Sequence, residues 1–139
     1  SASDSQHLAS ELTGRFMKNR APLAAIALTT DTSAITAISN DLGYENIFSR
    51  QIKALGKEND CLIAISTSGN SENILNAVRQ AKIQGIKTIA FTGNDGGSLF
   101  SLCDLGFIIP SNSTARIQEF HMWLGHMLCS VIENEIFKE

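Results

Sequence analysis

Four short apolar runs, each followed by turn residues and separated by segments of helical periodicity, constrain this chain more than any other feature. Leu23-Ala24-Ala25-Ile26-Ala27-Leu28 has no polar member and ends in Thr29-Thr30-Asp31-Thr32, a string of turn and cap residues. Residues 61–65 and 105–109 repeat the pattern, the last closed by Pro110, and 87–91 is a third strand that opens with Lys87 and Thr88. Short continuous runs of this kind read as strands buried on both faces. Between them the period changes. Leu8, Leu12 and Phe16 recur four apart, which predicts a helix over 9–17 that Pro22 brings to a close. Helices are also expected over 33–38, 45–55, 72–84 (ended by Gly85) and 114–137. Strands alternating with helices imply βαβ units. The predicted fold is therefore α/β, a doubly wound parallel sheet flanked by helices, with residues 1–139 forming one domain.

Composition narrows the function classes. Hydrophobic content of 43% and charged content of 18% describe an ordinary globular chain. A net charge of −3 gives no indication of a nucleic-acid surface. No apolar run reaches the roughly 18 residues of a membrane span. Cys61, Cys103 and Cys129 lie far apart without a C-x-x-C pair, which fits the reduced thiols of a cytoplasmic protein.

Three segments carry residues suited to chemistry. Ser66-Thr67-Ser68-Gly69-Asn70-Ser71 follows a predicted strand and opens a predicted helix. Ligands of open α/β sheets bind at the carboxyl ends of strands, and free N–H groups at a helix start favour phosphate. The bland alternative is a helix cap with a polar turn. There is no lysine at the place a Walker loop requires. The glycine-rich stretch 93–97 reads as a structural turn. His7 and Glu11 are four apart, which puts them on one helical face. An imidazole and a carboxylate so placed can share a metal ion or act as an acid/base pair, although a surface pair is the commoner case. On the last helix His121 and His126 are five apart and do not share a face. Gln118 and His126 are about 12 Å apart along the axis and rotated by roughly 80°, so one straight helix barely brings them to a common ion. Trp123, Leu124, Met127, Leu128, Val131 and Ile132 read as packing residues, for the sheet or for another subunit.

Taken together, Ser1-Ala2-Ser3-Asp4-Ser5-Gln6-His7, Glu11-Leu12-Thr13-Gly14-Arg15, Asn40-Asp41, Ile47-Phe48-Ser49-Arg50-Gln51, the serine-rich turn, Thr92-Gly93-Asn94-Asp95-Gly96-Gly97 and Ala115-Arg116-Ile117-Gln118-Glu119 resemble one family. The chain is similar to the sugar isomerase (SIS) domain family, with its Rossmann-like fold, and within it to the phosphoheptose isomerases. The resemblance runs along the whole sequence in order and spacing. It makes Ser1 the last residue of a glycine-rich sugar-phosphate loop, which implies that the family's N-terminal helix and first strand lie outside this sequence.

The resemblance also implies roles. A zinc ion, one per subunit, would be held by His7, Glu11, Gln118 and His126. Glu11 and His126 would be the acid/base pair. Substrate would be bound by Ser1, Asn40, Asp41, Ser66, Thr67, Ser68, Ser71 and Gln118. The reaction would convert sedoheptulose 7-phosphate to D-glycero-D-manno-heptose 7-phosphate, the first step toward ADP-heptose and lipopolysaccharide core. The assembly would be a cytoplasmic homotetramer with sites at subunit interfaces, acting on a phosphorylated seven-carbon sugar and binding neither nucleic acid nor membrane. The alternative is a non-catalytic SIS relative that binds the bacterial replication initiator. That relative lacks the residues matching Glu11 and His126, and both are present here. A third option, an SIS enzyme of amino-sugar phosphates, is disfavoured by the set His7, Glu11, Gln118 and His126.

Overall fold

A computed structural model describes residues 1–138. In chain order these form α1 (Ala2–Thr13), α2 (Thr32–Leu42), a 3-10 turn (Tyr44–Asn46), α3 (Ile47–Leu55), β1 (Cys61–Ser66), α4 (Glu72–Ile83), β2 (Lys87–Gly93), α5 (Gly97–Leu102), β3 (Leu105–Ile109) and α6 (Thr114–Ile136). The strands make one parallel sheet in the order β1-β2-β3.

Strand periodicity divides the core in two. Ala64 pairs with Ala90, and Ile65 with Phe91, in adjacent register positions. Successive side chains point to opposite faces. Ala64 and Ala90 therefore pack with Leu75 and Val78 of α4 and Leu99 of α5. Ile65 and Phe91 pack on the other face with Leu8 of α1 and Cys129 of α6. A further cluster of Ile52, Ala77, Ala81 and Ile86 fastens α3 to α4. The sheet is covered by helices on both faces, as the alternating pattern requires.

Three of the four predicted strands form. The run at 23–28 does not. No strand forms there, and Ile26 is 68% exposed, so its two faces are not both buried. Its surroundings give the reason. A cavity of about 850 Å³, walled by Leu12, Ala25, Ala27, Ile63 and Ile65 among others, lies between this segment and β1. With no neighbour at ladder distance, apolar composition alone cannot make a strand. The helix predicted over 9–17 begins earlier and ends at Thr13. Its polar first turn hides it from a reading based on apolar spacing. The stretch read as a structural turn at 93–97 leads directly into α5, a helix too short to show a period. The segment 45–55 divides into the 3-10 turn and α3.

Two contacts fix α1 against α6. Leu8 lies over Gly125, where any Cβ would overlap the leucine side chain. The second contact is ionic. Glu133 is 1% exposed and accepts from the main-chain N–H groups of Phe16, Met17 and Lys18 at 3.0, 2.9 and 3.0 Å. Arg20 Nε donates to the same carboxylate at 2.8 Å. The guanidinium also donates to the carbonyls of Glu11 and Leu12, which are left open where α1 ends. One buried pair thus ties the end of α1, the following loop and the last helix. Removing one member of a buried pair leaves the other uncompensated, which destabilises strongly.

Those donors hold the Glu133 carboxyl down to about 2 from its ordinary 4.5, against the burial that raises it. Between these values the unfolded chain binds the proton and the folded chain does not. Stability is therefore present in full above about 4.5 and is lost as pH falls toward about 2. Urea midpoints measured from pH 6 to pH 2.5 should fall steeply in the wild type. Glu133→Gln should be less stable at pH 6 and flatter across that range. Gly125→Ala should cost about 1–3 kcal/mol by overpacking against Leu8, read as a lower urea midpoint at unchanged slope.

Candidate active site

Two successive turns of α1 carry His7 and Glu11 toward α6. His7 Nε2 lies 3.0 Å from Glu11 Oε1, the i, i+4 contact that the sequence spacing predicts. His126 arrives from α6 through the Leu8–Gly125 contact. Its Nε2 is 3.1 Å from His7 Nε2 and 3.9 Å from Glu11 Oε1. The three groups are partly exposed, and their donor atoms lie within 4.8 Å of one another. Phe16 stacks on the His126 ring, with centroids 5.5 Å apart and planes 21° from parallel. Such an offset pair contributes about 0.5–1.5 kcal/mol beyond burial.

The donor set fits a cation. Two imidazole Nε2 atoms facing each other at 3.1 Å need a proton or a metal ion between them. Ligand atoms at 2.0–2.1 Å on a tetrahedral ion stand roughly 3.3–3.4 Å apart. The separations of 3.0, 3.1 and 3.9 Å bracket that value. Two imidazoles and one carboxylate with an open fourth position is a common catalytic arrangement. Gln118 lies two turns earlier on the continuous helix α6, and no hydrogen bond joins it to the three among the described residues. His121 is the unrelated histidine. It is fully buried and its Nε2 lies 3.0 Å from the Thr92 carbonyl oxygen. Burial lowers its pKa, so the neutral ring donates Nε2–H to that carbonyl and packs on Phe91 as a core residue.

The serine-rich turn is built between β1 and α4. Ser66 Oγ and Ser71 Oγ are 3.1 Å apart. Ser71 occupies the N-cap of α4 but makes no side-chain cap bond. The helix therefore keeps first-turn N–H groups for another acceptor. Gly69 has φ +66°, and a Cβ there would overlap the Gly96 carbonyl. That approach lets Leu99 N–H donate to Gly69 O at 2.9 Å and Ser98 N–H donate to Asn70 Oδ1 at 3.0 Å. The glycine stretch 93–97 is therefore a brace for the serine turn. Ser1, Ser66, Thr67 and Ser71 line the same 850 Å³ cavity. Ser68 is exposed beside it. Asn40 and Asp41 are exposed at the end of α2, away from that lining.

Within the chain the two groups of residues remain apart. His7, Glu11 and His126 are not in the cavity wall, whereas Ser5, Leu8 and Leu12 of α1 are. The helix presents His7 and Glu11 on one side and faces the cavity with another. Phe16, Arg20 and Glu133 escaped sequence reasoning. A signal existed for Glu133, seven residues after His126 and so on the same face of α6.

Comparison with known proteins adds the family. The family model for the SIS domain matches residues 1–93. A phosphoheptose isomerase of Aliarcobacter butzleri is 54% identical over 136 residues, 98% of this chain and 72% of that protein. One from Helicobacter pylori strain Shi470 is 56% identical over 133 residues, 96% of this chain and 69% of that protein. The solved phosphoheptose isomerase of Francisella tularensis superposes with a TM-score of 0.91 at 44% identity, covering 96% of this chain and 71% of that one. The chain belongs to the SIS-domain family, and within it to the phosphoheptose isomerases. Membership accords with the fold, a parallel sheet between helices. Among the described residues no helix is long and apolar enough to cross a membrane.

The donor geometry makes a direct prediction. The purified protein should retain a divalent ion at His7, Glu11 and His126. Substituting any one of them by alanine should weaken binding by more than about 100-fold, beyond the loss of an outer partner. Chelator competition with Zn²⁺ measures this.

Proposed function

We propose that this chain is an aldose–ketose isomerase that converts sedoheptulose 7-phosphate to D-glycero-D-manno-heptose 7-phosphate. The observation that carries the reading is the pairing of Glu11 with His126 across α1 and α6, in a chain 54% identical to a phosphoheptose isomerase. A non-catalytic binding protein has no use for a carboxylate and an imidazole held 3.9 Å apart in a partly open site.

The reaction moves hydrogen between C1 and C2. Glu11 takes a proton from C1 while His126 gives one to the C2 oxygen, forming an enediol. His126 then takes the proton of the C1 hydroxyl, and Glu11, its carboxyl proton exchanged with solvent, protonates C2. Each residue ends in its starting state, and the sugar has changed from ketose to aldose. Proton transfer by a placed side chain contributes about 10²–10⁴-fold. The metal is zinc in this reading, with His7 and Gln118 completing its ligands beside Glu11 and His126. When bound it supplies positive charge near the developing oxyanion. Ligation makes a carboxylate a weaker base, so metal binding and base catalysis by Glu11 pull against each other. Ser66, Thr67, Ser68 and Ser71, with the start of α4, hold the phosphate. Ser1, Asn40, Asp41 and Gln118 contact the sugar.

The separation of the acid/base pair from the serine turn within one chain supports a site assembled from neighbouring copies. So does the outer face of α6. Phe120, Trp123, Met127 and Val131 are 51, 58, 48 and 53% exposed and follow one another at helical spacing. We assign this face to a homotetramer interface, with each site drawing residues from adjacent subunits. The product would feed ADP-heptose formation for surface glycans in the cytoplasm.

Sedoheptulose 7-phosphate in D₂O with the zinc-loaded protein should give an aldose carrying deuterium at C2, followed by proton NMR. Glu11→Gln should slow it by about 10²–10⁴-fold. No aldose from the loaded wild type would refute the reading.

A further inference from the structure

We infer that Phe16 is a positioning residue for His126, held in place by the Arg20–Glu133 pair. The inference rests on the isomerase reading for its kinetic consequence and on geometry alone for its structural one. His126 is exposed on one side, with its side chain 42% accessible. An exposed imidazole has a broad χ2 and several accessible ring orientations. Two contacts restrict it here. His7 meets its Nε2 edge, with ring planes inclined at 65°. Phe16 covers its face at 5.5 Å and 21°. The edge contact alone leaves the ring free to turn about the Nε2 direction. The face contact removes that freedom and keeps Nε2 toward His7, 3.9 Å from Glu11 Oε1.

Phe16 lies beyond α1 in an irregular loop, where a side chain ordinarily moves. Its backbone does not have that liberty. Phe16 N–H donates to Glu133 Oε1 at 3.0 Å, and the next two N–H groups donate to Glu133 Oε2. Arg20 holds the carboxylate from the other side and grips the carbonyls of Glu11 and Leu12. His126 and Glu133 are seven residues apart on α6, so the helix sets the distance between the held backbone and the stacked ring. The path runs from Glu133 through the Phe16 main chain and ring to the His126 imidazole. It orients the proposed acid with groups that touch neither sugar nor ion.

The test compares Phe16→Leu with Phe16→Tyr. Leucine keeps apolar bulk without a flat face, and tyrosine keeps the face. In metal-free protein, the NOE between the His7 and His126 ring protons should be strong in wild type and Phe16→Tyr and clearly weaker in Phe16→Leu. With zinc and sedoheptulose 7-phosphate, Phe16→Leu should lose about tenfold in kcat at unchanged KM, while Phe16→Tyr stays near wild type. An NOE in Phe16→Leu equal to wild type overturns the inference, whatever the rate. So does a tenfold loss shared by Phe16→Tyr, because then the aromatic face is not what matters. If wild type itself is inactive, the isomerase reading fails and the NOE comparison still decides the positioning role.

Discussion

The meeting of His7, Glu11 and His126 depends on how closely α1 approaches α6. The two helices are far apart in sequence and share no strand. Leu8 can reach α6 because Gly125 has no side chain. That approach brings His126 to 3.1 Å from His7. Farther along the same seam, Glu133 and Arg20 close the end of α1 with charge and hydrogen bonds rather than with apolar packing. The seam therefore has an apolar end that sets distance and an ionic end that sets direction. A buried pair of this kind is a doubtful source of net stability, because desolvation offsets attraction. Its value here is specificity. Four donors on one carboxylate leave the loop after α1 a single arrangement.

The sheet contributes differently. Its faces are filled by alternating residues, and its carboxyl ends carry the serine turn. The turn is shaped by backbone, through Gly69 against Gly96 and the bonds from Ser98 and Leu99. Phosphate recognition by free N–H groups needs that rigidity, since a loose loop would spend binding energy on ordering itself. The fold thus separates two tasks. In the proposed function, one end of the sheet is the anion site and the α1–α6 seam the proton-transfer site. In the proposed assembly, the exposed apolar face of α6 brings the two tasks together between copies.

Much of this was legible in the sequence. Strands at 61–65, 87–91 and 105–109 were visible from their largely apolar runs, although β3 at the sheet edge leaves Leu105 and Phe107 exposed. The same rule misread 23–28, since composition reports burial preference and a ladder needs a partner. The His7–Glu11 contact followed from spacing on one helix. The approach of His126 was implied by the family resemblance but not by spacing, because it depends on a glycine whose role appears only when two helices cross. Gln118 illustrates the limit from the other side. Helical geometry held it apart from His126, and the continuous α6 keeps that separation. Phe16, Arg20 and Glu133 left little trace because their side chains meet backbone groups and partners far away in sequence.

The central claim is that Glu11 and His126, joined across the seam, act on the substrate as one pair. A double-mutant cycle on isomerisation of sedoheptulose 7-phosphate tests it most directly, using Glu11→Gln, His126→Asn and both together. Residues that act as a unit are strongly non-additive. The account predicts that the double variant is no slower than the slower single variant. Losses that multiply, each residue contributing its full factor independently of the other, would contradict it.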